Sequence, residues 1–147
     1  MKKILAIVLT LFTVISTLTS CNANEKYYAD KAIKVSVAHI SGFNTDEKYD
    51  LYFEDIEKGA THALPNGKAN SSYKVDFTIT KITKDEITIS FSQPLDKIND
   101  DESKRWELEQ SSFTLETQSS VRFITPTDGG GDMFEFSIVD KASIPTK

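Results

Sequence analysis

From Ile33 onward, apolar and polar residues alternate along most of the chain. Successive side chains of a β-strand point to opposite faces of a sheet, so a period of two predicts strands with one buried face. The clearest segment is residues 71–92, SSYKVDFTITKITKDEITISFS, in which two alternating arms flank a turn at Lys84 and Asp85. β-Branched and aromatic residues dominate both arms, as strands favour. We expect Pro94 to end the pairing of the second arm, because proline has no N–H to donate.

Shorter alternating runs lie on both sides of this segment. Residues 33–37 and 49–53 predict two strands before it, and the composition of residues 62–72 predicts a loop between them and the long segment. A glycine-rich turn at residues 127–132 is expected to cap a hairpin. Pairs or triplets of apolar residues predict four more strands: Trp106/Leu108, Phe113/Leu115, Val121/Phe123 and Phe134/Phe136/Ile138.

This pattern predicts an all-β domain. About seven or eight strands with frequent turns and one polar face each indicate an antiparallel β-sandwich or a small barrel, rich in meander connections. Helical pattern is scarce, although the acids of residues 99–102 could begin a short helix that runs toward Trp106. We expect the β-domain to span residues 33–140, followed by a tail at residues 141–147.

The first twenty residues have a different pattern. Lys2 and Lys3 precede an apolar stretch at residues 4–18, and the small residues Thr19 and Ser20 follow it. This is the layout of a secretory signal peptide. A transmembrane helix needs about 20 apolar residues, so the stretch is short for spanning, and no charge flanks its far side. We therefore expect residues 1–20 to be a signal peptide that is removed on export.

The end of this segment, Leu18-Thr19-Ser20-Cys21, resembles the lipobox of bacterial lipoproteins. The resemblance covers only the first twenty-one residues. It implies that Cys21 receives a diacylglycerol thioether, that cleavage follows Ser20 and that the new amino group is acylated. One acyl chain binds a membrane only marginally, whereas two or three hold a protein there almost permanently. The expected product is anchored to the cell membrane or outer membrane and faces the periplasm or surface, with residues 21–32 as its tether.

An ordinary signal peptide that leaves a free thiol is the alternative reading of Cys21, the only cysteine of the chain. If Cys21 carries lipid, no thiol remains for a disulfide, a zinc–thiolate site or redox chemistry. Loss of Lys2 and Lys3 changes the formal net charge from −5 to −7. An acidic domain lacks the basic footprint that phosphate backbones require, so nucleic acid is not an expected partner.

Few residues suggest chemistry. His39 ends the first predicted strand on its apolar side, which favours a half-buried imidazole with a hydrogen bond, and neither His39 nor His62 has metal-ligand spacing. Asp128 and Asp132 flank three glycines and are weak calcium candidates, because calcium requires six to eight oxygens; turn geometry is the favoured interpretation. The sequence predicts no catalytic residue and no cofactor.

The favoured function is a noncatalytic module that binds an envelope protein or a cell-wall glycan. Tyr49, Tyr52 and Trp106 are candidate recognition residues if they are exposed together. The first alternative is a carrier or sensor of a small apolar ligand held inside a barrel. The second is a small hydrolase that uses His39 or His62, since catalytic triads are defined by geometry rather than by spacing.

Overall fold

The computed structural model describes residues 25–41, 44–65, 74–99, 106–125 and 130–146, with the backbone alone at 25, 41, 44–46, 106–108 and 130. Nearly all of this chain is antiparallel β-structure, which confirms the predicted all-β class. Short 3-10 turns at Glu25–Tyr28 and Lys141–Ser143 flank the strands. The strands are β1 (Lys31–Ser41), β2 (Asn44–Phe53), β3 (Thr61–Ala63), β4 (Asp76–Ile82), β5 (Glu86–Ile98), β6 (Trp106–Glu116), β7 (Ser120–Ile124) and β8 (Gly130–Asp140).

All the strands belong to one sheet that curves almost into a closed barrel. The order is β2-β1-β8-β7-β5-β4-β3, and β6 pairs with the other edge of β5. The long strand β5 joins the two parts of the sheet, because its first half pairs with β4 and its last three residues pair with β7. Within the described part of the chain no helix is long and apolar enough to cross a membrane.

The barrel is left open at a seam between β2 and β3. No ladder joins these two strands among the described residues. Instead the ring of Phe53 on β2 lies 4.8 Å from the ring of His62 on β3, and 5.0 Å from the ring of Phe77 on β4. Side-chain packing therefore holds the two edges together where backbone hydrogen bonds do not.

The interior is filled by phenylalanine rings. Phe136 on β8 has neighbouring ring centroids at 5.1 to 6.1 Å, and edge-to-face geometry predominates, as aromatic pairs prefer. Burial of one such side chain stabilises a fold by roughly 1.5–3 kcal/mol, so packing can hold this domain together without a disulfide. The rings in contact with Phe136 are those of Phe77, Phe91, Phe113 and Phe123.

Two strand predictions are wrong in detail. Pro94 does not end a strand, because β5 runs on to Ile98. The β5–β6 register shifts between Ser90 and Leu95, and such an irregularity tolerates a residue without an N–H. Within the predicted loop at 62–72, His62 pairs with Phe77 and forms part of β3. The strands that the alternation predicts before and after these two points are present in the structure.

The predicted strands at Trp106/Leu108 and Phe113/Leu115 are one strand, β6. Glu109 adopts a φ of 57°, a left-handed conformation that non-glycine residues rarely adopt, and its N–H donates to Asp96 Oδ1 at 3.1 Å. This kink interrupts the alternation of apolar and polar residues within β6. The sequence pattern therefore predicts two strands where the structure has one. The expected β7–β8 hairpin is present, whereas most of the candidate helix beyond Asn99 lies outside the described residues.

The N-terminal end of the barrel is closed by Tyr28. Its side chain is only 2% exposed, and its hydroxyl donates to the Lys84 carbonyl at 3.4 Å, while Tyr27 is 48% exposed. Burial raises the pKa of the Tyr28 phenol. Nearby, Lys31 forms ion pairs with Asp30 and Asp140. Packing thus begins at Tyr28, ahead of residue 33. We call this region, defined by Tyr28, Lys31, Lys84 and Asp140, the N-terminal end.

Candidate functional site

A pair formed by a half-buried histidine and a buried carboxylate lies at the other end of β1. His39 follows Val35 and Val37 on the inner face, and the β1–β8 register places Asp132 directly opposite. His39 Nδ1 and Asp132 Oδ1 are 3.0 Å apart, and the two side chains are 13% and 6% exposed. The predicted half-buried, hydrogen-bonded imidazole is confirmed. An ionised carboxylate can only accept, so Nδ1 is then the donor.

Thr125 fixes Asp132 in place. The Thr125 N–H donates to the Asp132 carbonyl, and the Asp132 N–H donates to Thr125 Oγ1, both at 3.0 Å. Thr125 is itself buried, because it continues the inward parity of Phe123. Asp132 is therefore a buried residue of β8, whereas its calcium co-candidate Asp128 lies outside the described residues. A carboxylate this buried requires a partner, and His39 supplies it.

Two residues of β2 extend this group. Glu47 pairs with His39 in the β1–β2 register, and Tyr49 pairs with Val37. Glu47 is exposed, and Tyr49 is 40% exposed. The pKa of Tyr49 is raised, first by partial burial and then by the negative charges of Asp132 and Glu47. We call His39, Glu47, Tyr49, Thr125 and Asp132 the distal cluster.

The distal cluster contains some of the groups of a catalytic triad or a metal site, but the described residues complete neither. An imidazole oriented by a carboxylate is the base of a Ser-His-Asp triad, but a triad also needs a nucleophile held against Nε2. The Thr125 hydroxyl instead accepts the Asp132 N–H. Among the described residues, no group of three or more His, Cys, Asp or Glu side chains is arranged to hold a metal ion. The cluster offers an exposed ring beside hydrogen-bonding groups, which suits recognition.

The other candidate recognition residues lie apart from Tyr49. Tyr52 pairs with Lys34 and so faces the outside of the barrel, because an odd separation puts two residues of a strand on opposite faces. Trp106 pairs with Ile98, and β6 is five strands away from β2 around the sheet; its side chain lies outside the described residues. The structure does not bring Tyr49 and Tyr52 together on one surface.

His62 has a very different environment at the seam. Its ring lies 4.8 Å from Phe53 and 5.1 Å from Phe77. Its Nε2 is buried and has no hydrogen-bond partner within the described structure. An unpaired buried nitrogen costs stability, so this imidazole acts mainly as a ring that fills the gap between two phenylalanines.

The outer face of β1 and β2 carries an ordinary surface ion pair. Lys34 Nζ lies 3.0 Å from Asp50 Oδ2, and the Ser36 hydroxyl donates to Asp50 Oδ1 at 2.6 Å. The Ser36 hydrogen bond lowers the pKa of Asp50, and Lys34 lowers it further. The same contact with Asp50 raises the pKa of Lys34. This pair provides a reference for the buried pair of the distal cluster.

Sequence reasoning placed Tyr49, Asp132 and His39 individually but missed their association. Glu47 could have been found, because an alternating hairpin over residues 33–53 places a residue of the Tyr49 parity opposite His39. One sequence signal pointed to Thr125: it follows Val121 and Phe123 at a spacing of two, which predicts that it lies on the same inner face. The partnership of His39 with Asp132 had no local signal, since it depends on the pairing of β1 with β8.

Comparison with known proteins does not assign a family to the chain. No protein-family model, curated protein or solved structure matches it. The functional argument therefore uses the residues of this chain alone.

Proposed function

We propose that the chain is a lipid-anchored domain of the bacterial cell envelope that binds a protein or a cell-wall glycan through its distal cluster. The supporting observation is that the distal cluster lies at the end of β1 opposite to the 3-10 turn at Glu25–Tyr28, which follows Cys21 in the sequence. The lipobox-like sequence would anchor the chain at one end of β1, and the exposed polar and aromatic groups lie at the other end.

The distances support this orientation. Only residues 22–24 separate Cys21 from the first 3-10 turn, which allows at most about 15 Å of chain. From Lys31 to His39, β1 rises about 26 Å at about 3.3 Å per residue. A lipid on Cys21 would hold the N-terminal end close to the membrane, so the distal cluster would face away from it.

The distal cluster has the features of a contact site. Tyr49 offers an exposed ring that can bury apolar area, and Glu47 and His39 offer an acceptor and an adaptable nitrogen beside it. Because Asp132 and Thr125 hold His39 in one orientation, binding there would lose little side-chain entropy. Rigid aromatic anchors of this kind often carry much of a binding energy.

The aromatic core favours surface binding over carriage of a ligand inside the barrel. A carrier needs a cavity of several hundred Å3 lined by apolar side chains. In the described interior, Phe77, Phe91 and Phe136 occupy that space with ring centroids 5.6 to 5.7 Å apart. The hydrolase alternative is supported by the His39–Asp132 pair alone, since the pair orients an imidazole but does not supply a nucleophile.

The anchor is tested by metabolic labelling with a clickable fatty acid. We expect label on the wild-type protein and recovery in the membrane fraction, and we expect Cys21→Ala to lose both. Unlabelled wild-type protein in the soluble fraction would contradict the anchor.

The contact site is tested by photocrosslinking in intact cells. A photoreactive residue placed at Tyr49 should capture a defined envelope protein or glycan. The matched control is Tyr27, an exposed tyrosine at the N-terminal end, which should capture lipid or nothing. Identical adducts from the two positions, or no adduct from Tyr49, would contradict recognition by the distal cluster.

A further inference from the structure

The strand β2 forms an edge of the sheet. It pairs with β1 on one side, and among the described strands no ladder joins its other side. In an antiparallel ladder, alternate residues direct their N–H and C=O groups to opposite edges, so about half of the backbone groups of β2 point away from β1. The strand has ten residues, whereas β3 has three, and the ring contact across the seam is made by Phe53, the last residue of β2. The part of β2 before Phe53 therefore presents an edge that another strand can extend.

Both faces of β2 are accessible in this part of the strand. Glu47 and Tyr49 have the inner parity, Lys48 and Asp50 have the outer parity, and all four side chains are exposed. Leu51, the next residue on the inner face, is only half-buried although it packs against the core. A strand added along this edge would therefore cover apolar area at Tyr49 and Leu51 as well as form backbone hydrogen bonds.

The charges along this edge restrict what can pair with it. Glu47 and Lys48 are consecutive, so they place opposite charges on opposite faces. The pKa of Tyr49 is raised by partial burial and then by Asp132 and Glu47, which shows that the inner face is negative here. Opposite charges in directly opposed positions stabilise paired strands. A complementary strand has a basic residue opposite Glu47 and an acidic residue opposite Lys48. Its residues opposite Tyr49 and Leu51 are apolar.

We propose that the partner of the distal cluster is a protein that adds an extended segment to β2 as an antiparallel strand, with basic and acidic residues opposite Glu47 and Lys48. This inference rests on the proposed contact site and assigns a protein, not a glycan, to it. In strand addition, main-chain hydrogen bonds provide affinity and alternate side chains provide specificity. The antiparallel direction is favoured because its pairing is slightly more stable per residue.

The inference is tested with a synthetic peptide and the full-length protein purified in detergent micelles. The probe is fluorescently labelled acetyl-Ser-Val-Thr-Val-Glu-Lys-Ser-amide, whose antiparallel pairing with β2 puts its glutamate opposite Lys48 and its lysine opposite Glu47. Fluorescence anisotropy should show saturable binding, and hydrogen exchange in the β2 segment should slow when the probe binds. The same peptide with its glutamate and lysine exchanged should bind about fivefold more weakly.

Two methylated forms of the probe test the backbone pairing directly. Because alternate N–H groups of a strand point to opposite edges, N-methylation of one alternate set blocks the hydrogen bonds to β2, and N-methylation of the other set leaves them intact. One form should lose affinity about tenfold or more, and the other should retain it. Each form is the control for the other, since both carry the same number of methyl groups.

Variants of the protein test whether the probe binds at β2. Glu47→Lys/Lys48→Glu reverses the order of charges along the edge, so the exchanged peptide should now bind about fivefold more tightly than the original probe. Misfolding cannot produce such a reversal. The control is Lys81→Glu/Glu86→Lys, which reverses a surface ion pair between β4 and β5 and should leave the original preference unchanged.

Three outcomes would overturn the inference: no saturable binding of the probe, equal binding of the two methylated forms, or an unchanged peptide preference in Glu47→Lys/Lys48→Glu. Capture of a glycan by the photoreactive residue at Tyr49 would also overturn it, although the proposed contact site would stand. A protein captured at Tyr49, combined with failure of the peptide tests, would exclude strand addition and leave the proposed function intact. Absence of any adduct at Tyr49 would contradict the proposed function and this inference together.

Discussion

The two histidines of this protein point to the same inner face of the sheet but meet opposite surroundings. His39 lies across from a carboxylate on β8, at the end of the barrel. His62 lies between two phenylalanine rings at the seam, with its Nε2 buried and unpaired in the described structure. Strand parity explains why both turn inward. The residue opposite each one decides whether the imidazole acts as a polar group or as a ring.

His39 is therefore held by a polar partner, whereas His62 is held by packing. The Asp132 partner, itself fixed by Thr125, keeps His39 in one orientation near exposed groups. At His62 the flat imidazole packs against neighbouring rings, and its Nε2 has no hydrogen-bond partner in the described structure. The two sites should therefore respond in opposite directions when the imidazole is replaced by a benzene ring.

The largest effect is expected for Asp132→Ala. The change removes the partner of His39 from a buried position, and we expect the free energy of unfolding to fall by about 3 kcal/mol. Asp50→Ala is the control, because Asp50 is a third exposed and should lose less than about 1 kcal/mol. Urea denaturation of both variants measures the difference. Equal losses would mean that burial of the Asp132 pair has no energetic consequence.

The next effect is expected for His39→Phe. This change strands the Asp132 carboxylate, and we expect a loss of about 2 kcal/mol in the free energy of unfolding. The double variant His39→Phe/Asp132→Leu should recover at least about 1 kcal/mol of that loss, because neither buried charge remains. Additive losses in the same denaturation series would refute coupling between the two residues.

His62→Phe should have the opposite sign. It keeps a ring against Phe53 and Phe77 and removes the unpaired nitrogen, so we expect a gain of about 1 kcal/mol. His62→Ala is the matched control and should lose about 2 kcal/mol, because the seam then contains a cavity. A loss in His62→Phe as large as in His62→Ala would show that the imidazole nitrogen is needed.

The smallest effects are expected in the acid and alkaline limbs of the pH–stability curve. The raised pKa of Tyr28 means that its contribution to stability is complete below pH 10 and is lost as pH rises through the folded-state value. Tyr28→Phe should therefore flatten the alkaline limb.

The lowered pKa of Asp50 gives a contribution to stability that is present above about pH 4 and is lost below it. We expect less than about 1 kcal/mol from Asp50, measured by thermal unfolding of Asp50→Asn against the wild type. An unchanged acid limb in that variant would contradict the assignment.

The fold class was predictable because alternation is a local property. The expected strand count also agrees with the structure, but two errors cancel. β3 was overlooked because its three residues are too few to show a period. The strand β6 was divided because Glu109, in its left-handed conformation, interrupts the alternation. A bulge depends on the partner strand as well as on its own residues, and the sequence of β6 alone does not reveal it.

The candidate site was predictable only in its parts. The alternation of apolar and polar residues is enough to predict that His39 faces the interior. The odd separation of Tyr49 and Tyr52 is likewise enough to predict that they lie on opposite faces of the sheet. Asp132 was assigned to a turn because three glycines precede it, although it lies within β8 opposite His39. That pair joins residues 93 positions apart, and a hydrophobic pattern contains no information on so distant a register.

The pairing of the first strand with the last has a consequence for biosynthesis. β1 and β8 match over eleven positions, from Lys31 opposite Asp140 to Ser41 opposite Gly130. No native-like sheet can close until residue 140 has been synthesised, and contacts so distant in sequence form slowly. The export that we propose would benefit from this delay, because translocation through a membrane channel requires an extended polypeptide. Premature termination before β8 would release a fragment whose first strand has lost its longest partner, and we expect proteases to degrade such a fragment.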